Sequence, residues 1–212
     1  MKGILIKRGA EAELRKTTWL GKIALKKMRV PKAYRARELD NEIRAQRTRQ
    51  EARALHAVKA WGIRTPFVFE ARPKESLLVM EWIEGKTLKE TLQDPKTPRA
   101  QKIKWCRELG HIMGLLHAHE CVHGDLTTSN VLVRKNKRGM ELVLIDFGLA
   151  FYSHKLEDLA VDVIGLKKTY NATHFDFPAG WNAVVKGYTR TFKNARKVLA
   201  HMNEVEGRVR YA

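Results

Sequence analysis

Cysteine is nearly absent. Only Cys106 and Cys121 occur in 212 residues. Their spacing fits no zinc motif, and two cysteines make no disulfide scaffold, so buried free thiols in a reducing compartment are expected. No apolar run approaches the ~20 residues of a membrane span. The N-terminus lacks the charged cap and apolar stretch of a secretory signal. A cytoplasmic protein without membrane contact is the expectation. Repeats and low-complexity linkers are also missing. Acidic residues are scarce, at 23 against 41 Lys and Arg, for a formal net charge of +18. That imbalance favours a polyanionic partner such as nucleic acid, an anionic membrane or an acidic protein. The densest basic block runs from Lys26 to Arg53.

What is present divides into two halves. Three alternating segments, KGILIKRG, AELRKTTWLG and KIALKKMRV, read as a β-meander with turns at Gly9 and Gly21. A charged helix is expected from about Glu38 to Ala60, with Leu39, Ile43, Ala52, Leu55 and Val58 as its apolar face. FVFEA and SLLVMEWI add two strands around the turn ARPKE. From Gly85 the pattern is mainly helical. It includes a short helix at Leu88 to Leu92, a long one after Pro98, one from about Leu156 to Thr169, one after Pro178 and a terminal one. The expected fold class is α+β. A five-stranded N-lobe with one long helix spans residues 1–83, and a reduced, mostly helical C-lobe spans 84–212.

Two acidic turns carry the chemistry. HGDLTTSN places Asp125 and Asn130 five positions apart, and LIDFG places Asp146 sixteen positions further on. Phosphoryl transfer needs Mg²⁺ against the phosphates, cations on them and a carboxylate near the attacking hydroxyl. Asp146 and Asn130 are hard oxygen ligands suited to Mg²⁺, and Asp125 is the carboxylate. HGD plus Asn followed at this distance by DFG is a specific signal for ATP-dependent phosphotransfer. Upstream, Lys26 closes the strand pattern KIALK, where a kinase carries its phosphate-binding lysine. Glu51 lies on the following helix, placed to hold that lysine. IKRGAEAEL fills the phosphate-loop frame at Ile6, Gly9, Ala10 and Leu14. Lys7 and Ala12 stand where the outer glycines belong, and Glu11 stands in for the aromatic. Glu11 is expected to pair with a lysine or to reach Mg²⁺. Glu81-Trp82-Ile83, after the gatekeeper-like Met80, would offer backbone groups of Glu81 and Ile83 to adenine.

These segments, with GAEA, KAYRARELD, RTRQEAR, GIRTP, DFGLA, SHKLEDLAVD and ATHF, resemble the small atypical kinase subunit of the KEOPS complex over the whole chain from Ile4. The resemblance implies a minimal bilobal protein-kinase fold using ATP and Mg²⁺. It implies ATPase and serine/threonine kinase activity in a complex that makes threonylcarbamoyladenosine on tRNA. The partners implied are the threonylcarbamoyl-transferring subunit, the other KEOPS subunits and tRNA. Gly124 and Thr127 replace the Arg and Lys that conventional protein kinases carry around the catalytic Asp, and no APE anchor follows DFG. Asp162 resembles the buried Asp that braces the catalytic turn. The family's basic tail is reduced here to Arg208 and Arg210. A stand-alone RIO-like kinase or an aminoglycoside-type small-molecule kinase is the alternative. The strong basicity and the short chain after DFG argue against the aminoglycoside type, and the FG after Asp146 argues against the RIO type.

Overall fold

A computed structural model describes residues 3–137 and 139–210, with the side chains of 206–210 outside that description. Arg208 and Arg210, the reduced basic tail, therefore fall outside the described side chains. The chain divides into two compact units. One comprises Met1–Glu84 together with Asp146–Leu149, and the other comprises Gly85–Ile145 and Ala150–Ala212. Four residues around DFG thus belong with the first unit, a return that periodicity does not announce.

The first unit is built on an antiparallel sheet of β1 (Ile4–Arg8), β2 (Ala12–Trp19), β3 (Lys22–Arg29), β4 (Val68–Arg72) and β5 (Leu77–Glu81), in the order β1-β2-β3-β5-β4. Leu20 and Gly21 close the β2–β3 hairpin with φ of 45° and 78°. This left-handed pair matches the twist of two-residue hairpins, and Gly21 adopts it without steric cost. Ala24, Leu77 and Val79 form a buried cluster, with Trp19 and Phe69 packed against it. The Trp19 and Phe69 rings stack with centroids 5.4 Å apart.

Helix α1 (Arg37–Ala57) corrects part of the expected apolar face, of which Leu55 and, just past the helix, Val58 are buried. Its buried residues are Asp40, Thr48, Glu51, Ala54 and Leu55, while Leu39 is 52% exposed. Three of the five are polar because each has a partner. Asp40 accepts from the Arg44 guanidinium at 2.7 Å and from the Lys32 amide at 3.3 Å. Those bonds and neighbouring Arg35 hold the Asp40 carboxyl below its ordinary range, against the opposing effect of burial. Thr48 donates to the Arg44 carbonyl at 2.7 Å. A buried polar face with satisfied groups is tolerated where an unpaired one is not.

The second unit carries α2 (Leu88–Gln93), α3 (Arg99–Ala118), α4 (Leu156–Thr173), α5 (Pro178–Thr191) and α6 (Ala195–Arg210). β6 (Lys86–Thr87), β8 (Val131–Asn136) and β9 (Gly139–Leu144) form one small sheet in the order β6-β8-β9; β7 (Cys121–Val122) pairs with β10 (Phe151–Tyr152). Thr87 and Glu90 form a reciprocal capping box that starts α2. Pro98 caps α3 and Pro178 opens α5, positions where the missing N–H costs nothing.

Helices α3 and α5 touch backbone to backbone. A Cβ at Gly110 would lie 1.9 Å from the Val184 carbonyl oxygen, and one at Gly187 would lie 2.0 Å from that of Arg107. No side chain can yield there, so the helices themselves must part. Gly187→Ala is expected to cost about 2 kcal/mol or more. Thermal unfolding checks this, and an unchanged midpoint contradicts the packing argument.

Burial raises the Cys106 thiol to about 11 and the Cys121 thiol to about 12, so both are held as inert thiols at neutral pH. Among the described residues no helix is long and apolar enough to cross a membrane.

Candidate active site

The first unit brings a helix carboxylate and a turn carboxylate onto one strand ammonium group. Lys27 Nζ lies 2.7 Å from Glu51 Oε1 and 2.6 Å from Asp146 Oδ1. This corrects the expectation for Lys26. Side chains alternate along β3, so adjacent lysines face opposite ways. Lys27 is 6% exposed and Glu51 1%. Lys26 is partly exposed, and its charge is felt by Glu13 on the neighbouring strand. The apolar run KIALK suggests the wrong lysine by one position, and one position exchanges the faces.

Arg29, two residues after Lys27 and on the same face, donates Nη2 to Glu51 Oε2 at 2.6 Å. Glu51 therefore bridges two buried cations. Asp146 has φ of 61°, a left-handed conformation that Asp tolerates better than most residues. Burial opposes its ionisation, but Lys27, the Gly148 amide and Arg29 together hold its carboxyl below the ordinary Asp value. Phe147 is fully buried.

The phosphate-loop segment is closed by Gly9 donating to the Ala12 carbonyl at 2.9 Å. Ile6 lies exposed on β1, Leu14 is partly buried on β2, and Ala10 lies in the turn. Glu11 is paired with Arg47 at 3.0 Å and with Lys32 at 3.7 Å. Lys32 also donates to the Ala10 carbonyl at 2.5 Å. The loop is thus tied to α1 and to the segment before it. In the segment after β5, Ile83 is buried. The Glu81 amide donates to the Phe67 carbonyl at 2.7 Å. The Lys16 ammonium lies 4.7 Å from the Trp82 ring centroid.

In the second unit, Asn130 Nδ2 donates to the Asp125 carbonyl at 2.8 Å and to Asp125 Oδ2 at 3.0 Å. The amide nitrogen is committed, so the amide oxygen is what Asn130 can offer a cation. Asp125 is exposed. The turn beneath it is braced by Asp162. Its Oδ2 accepts the His123 amide at 3.0 Å and its Oδ1 accepts the Gly124 amide at 2.9 Å. Gly124 has φ of 77°, so an arginine at that position would be strained. His117 Nε2 lies 3.2 Å from Asp162 Oδ2, and its Nδ1 lies 2.8 Å from the Tyr188 hydroxyl. Burial opposes the charge on Asp162, yet His117, His123 and these amides keep its carboxyl below the ordinary value. His174, in the ATHF segment, meets the Thr128 hydroxyl at 3.0 Å and holds the other side of the turn.

His117, Tyr188, His174 and Arg29 do not stand out in the sequence as site residues. His117 falls on the apolar face of α3, one position after Leu116. Arg29 was legible only through its register with Lys27.

A family model for the protein kinase domain matches residues 11–174. The KEOPS complex subunit Bud32 of Pyrococcus abyssi is 40% identical over 220 residues, covering 98% of this chain and 96% of its own length. The chain belongs to the Bud32 family of protein-kinase-like proteins. A probable bifunctional tRNA threonylcarbamoyladenosine biosynthesis protein of Methanococcus maripaludis is 42% identical over 208 residues. The Bud32-like chain is covered to 98% in that match but spans only 36% of the relative's length. Among solved structures, the Rio2 kinase–ADP/Mg²⁺–phosphoaspartate complex of Chaetomium thermophilum has a TM-score of 0.67 and WaaP in complex with acyl carrier protein one of 0.68. They cover 97% and 98% of this chain, and 70% and 88% of their own, at 15% identity. Those two likenesses establish the kinase fold and nothing finer.

Mg²⁺ and ATP fit the residues present. Among the described residues no three His, Cys, Asp or Glu groups could hold a metal by themselves. The Asp146 carboxylate and the Asn130 amide oxygen are each a hard oxygen donor of the kind Mg²⁺ takes beside phosphate and water.

Proposed function

We propose that this chain is a Mg²⁺-dependent ATPase and atypical serine/threonine kinase. It would act as a subunit of the KEOPS complex in threonylcarbamoyladenosine modification of tRNA, in the cytoplasm. The observation that carries the enzymatic part is Lys27 held by both Glu51 and Asp146, each at hydrogen-bond distance. That linkage places a buried cation beside an ionised metal-ligand candidate, the pairing that phosphoryl transfer uses. The names of the Pyrococcus and Methanococcus relatives support the assembly and the modification pathway.

The residues take these roles. Lys27 would engage the α- and β-phosphates and Glu51 would orient it. Asp146 and the amide oxygen of Asn130 would hold Mg²⁺, which neutralises charge on the transferring phosphate when bound. Asp125 would accept the proton of the attacking water or hydroxyl as the oxygen–γ-phosphorus bond forms and the bond to the β-phosphate oxygen breaks. Glu81 and Ile83 would contact adenine through their backbone. Ile6, Gly9, Ala10 and Leu14 would line the nucleotide. Residues 1–83 would form the nucleotide lobe and 84–212 the reduced second lobe. The RIO-like alternative shares the fold but gains no separate support from any named residue.

ATP hydrolysis by the purified chain, alone and with the threonylcarbamoyl-transferring subunit and tRNA, tests the proposal. Weak hydrolysis that rises sharply with both is expected. Hydrolysis indifferent to both contradicts the coupling role.

The basic block needs revision as an RNA surface. Lys32 is engaged by Glu11 and Ala10, and Arg35 sits 3.6 Å from Asp40. Arg37 is exposed and is the cleaner probe. Arg37→Glu is expected to weaken tRNA binding several-fold at low salt, with the loss shrinking as salt rises. A salt-independent loss contradicts a phosphate contact.

A further inference from the structure

Arg29 and Lys27 are the buried Lys and Arg side chains among the described residues. The Arg29 side chain is only 5% exposed, at the end of β3, and it takes the Glu51 oxygen that Lys27 leaves. It also lies against the metal-ligand turn. A Cβ at Gly148 would sit 2.6 Å from Arg29 Nη2 and 3.3 Å from Nη1. The guanidinium therefore covers the backbone two residues after Asp146. Gly148 has no positive φ to require glycine, so what a side chain there would meet is the Arg29 guanidinium, with Asp146 Oδ1 at 3.2 Å.

We propose that Arg29 is a positioning residue with two tasks, resting on the phosphotransfer reading above. It neutralises the second oxygen of Glu51, and it forms the floor on which the Asp146–Gly148 turn sits. A buried carboxylate with one cation holds that cation hard. With Arg29 in place, Glu51 keeps a partner when Lys27 turns to a phosphate, so Lys27 is free to serve ATP. Without Arg29, Glu51 would compete with ATP for Lys27. The fork matters for the second task, since the guanidinium brings two nitrogens to Gly148 and an ammonium has one.

The two tasks separate in steady-state kinetics. Arg29→Met is expected to raise the KM for ATP and the half-saturating Mg²⁺ concentration, each by about tenfold and more than kcat falls. Arg29→Lys should recover the KM for ATP, because it restores charge on Glu51. It should leave the Mg²⁺ requirement raised, because the two-nitrogen fork beside Gly148 is gone. A residue that only stabilises the fold would lower the melting temperature and kcat while leaving KM and the Mg²⁺ midpoint unmoved, and that result overturns the inference.

Should Arg29→Met fail to fold, Gly148→Ala provides the second arm. Its added methyl must displace the guanidinium, so the Mg²⁺ midpoint is expected to rise. An unmoved midpoint also overturns the inference. Asp146→Ala is run beside these variants. If it retains Mg²⁺-dependent turnover, the phosphotransfer reading itself fails. If it is dead while the Arg29 and Gly148 variants behave like wild type, only the role of Arg29 fails.

Discussion

Asp146→Ala is expected to abolish Mg²⁺-dependent ATP turnover, a loss of roughly a thousandfold or about 4 kcal/mol of barrier. The reasoning is electrostatic. Asp146 is the carboxylate bonded to Lys27 at 2.6 Å, and it is held ionised against partial burial by two cations and a backbone amide. Its left-handed φ of 61° marks a conformation kept because the surroundings determine it. The substitution would remove the proposed metal ligand and also free Lys27 from one of its two anchors. Folding should survive, since the Asp146 side chain is 45% exposed and Lys27 keeps Glu51. Turnover beside a thermal melt is the measurement. A folded variant with near-normal hydrolysis contradicts the assignment.

Asp162→Ala is expected to damage folding instead. Asp162 is 5% exposed and satisfies the His123 and Gly124 amides as well as His117. Alanine leaves the buried His123 N–H, the part-buried Gly124 N–H and the buried His117 imidazole without this partner. Each such orphan costs ~1–3 kcal/mol, so a loss of about 3 kcal/mol or more is expected. For a domain of this size that lowers the melting point by roughly 6–12 °C.

A pH signature accompanies the loss. The folded carboxyl sits below the ordinary value of 3.8. Its stabilisation is therefore fully present well above pH 3.8 and disappears as pH falls through the folded value. The alanine variant should lose that part of the acid sensitivity. Urea midpoints at neutral pH and at about pH 3 measure it, and identical acid dependence in both proteins contradicts the brace.

Much of the fold was legible because its periods are strong. The β-meander alternates cleanly, and prolines or a capping box open several helices. The HGDLTTSN and LIDFG turns were legible as motifs for a different reason. HGD, Asn and DFG are local spacings, and a spacing survives without knowledge of packing. Residues whose role depends on face were not legible. Lys26 and Lys27 are adjacent and chemically identical in sequence, and only the pleat decides which one is buried. Helix α1 misled for a related reason. Its inward face carries Asp40, Thr48 and Glu51, whose partners Arg44, Lys27 and Arg29 come from other turns or another element. Apolar periodicity cannot see a buried face that is held by ion pairs.

The most direct test of the central claim compares Lys27→Met with Lys26→Met. Mg²⁺-dependent ATP hydrolysis is measured for both, with a thermal melt to verify folding. Loss of turnover in a folded Lys27→Met protein, with Lys26→Met close to wild type, is the predicted result. Normal turnover without Lys27, or loss only without Lys26, would contradict the claim that Lys27, Glu51 and Asp146 form the phosphate-handling centre.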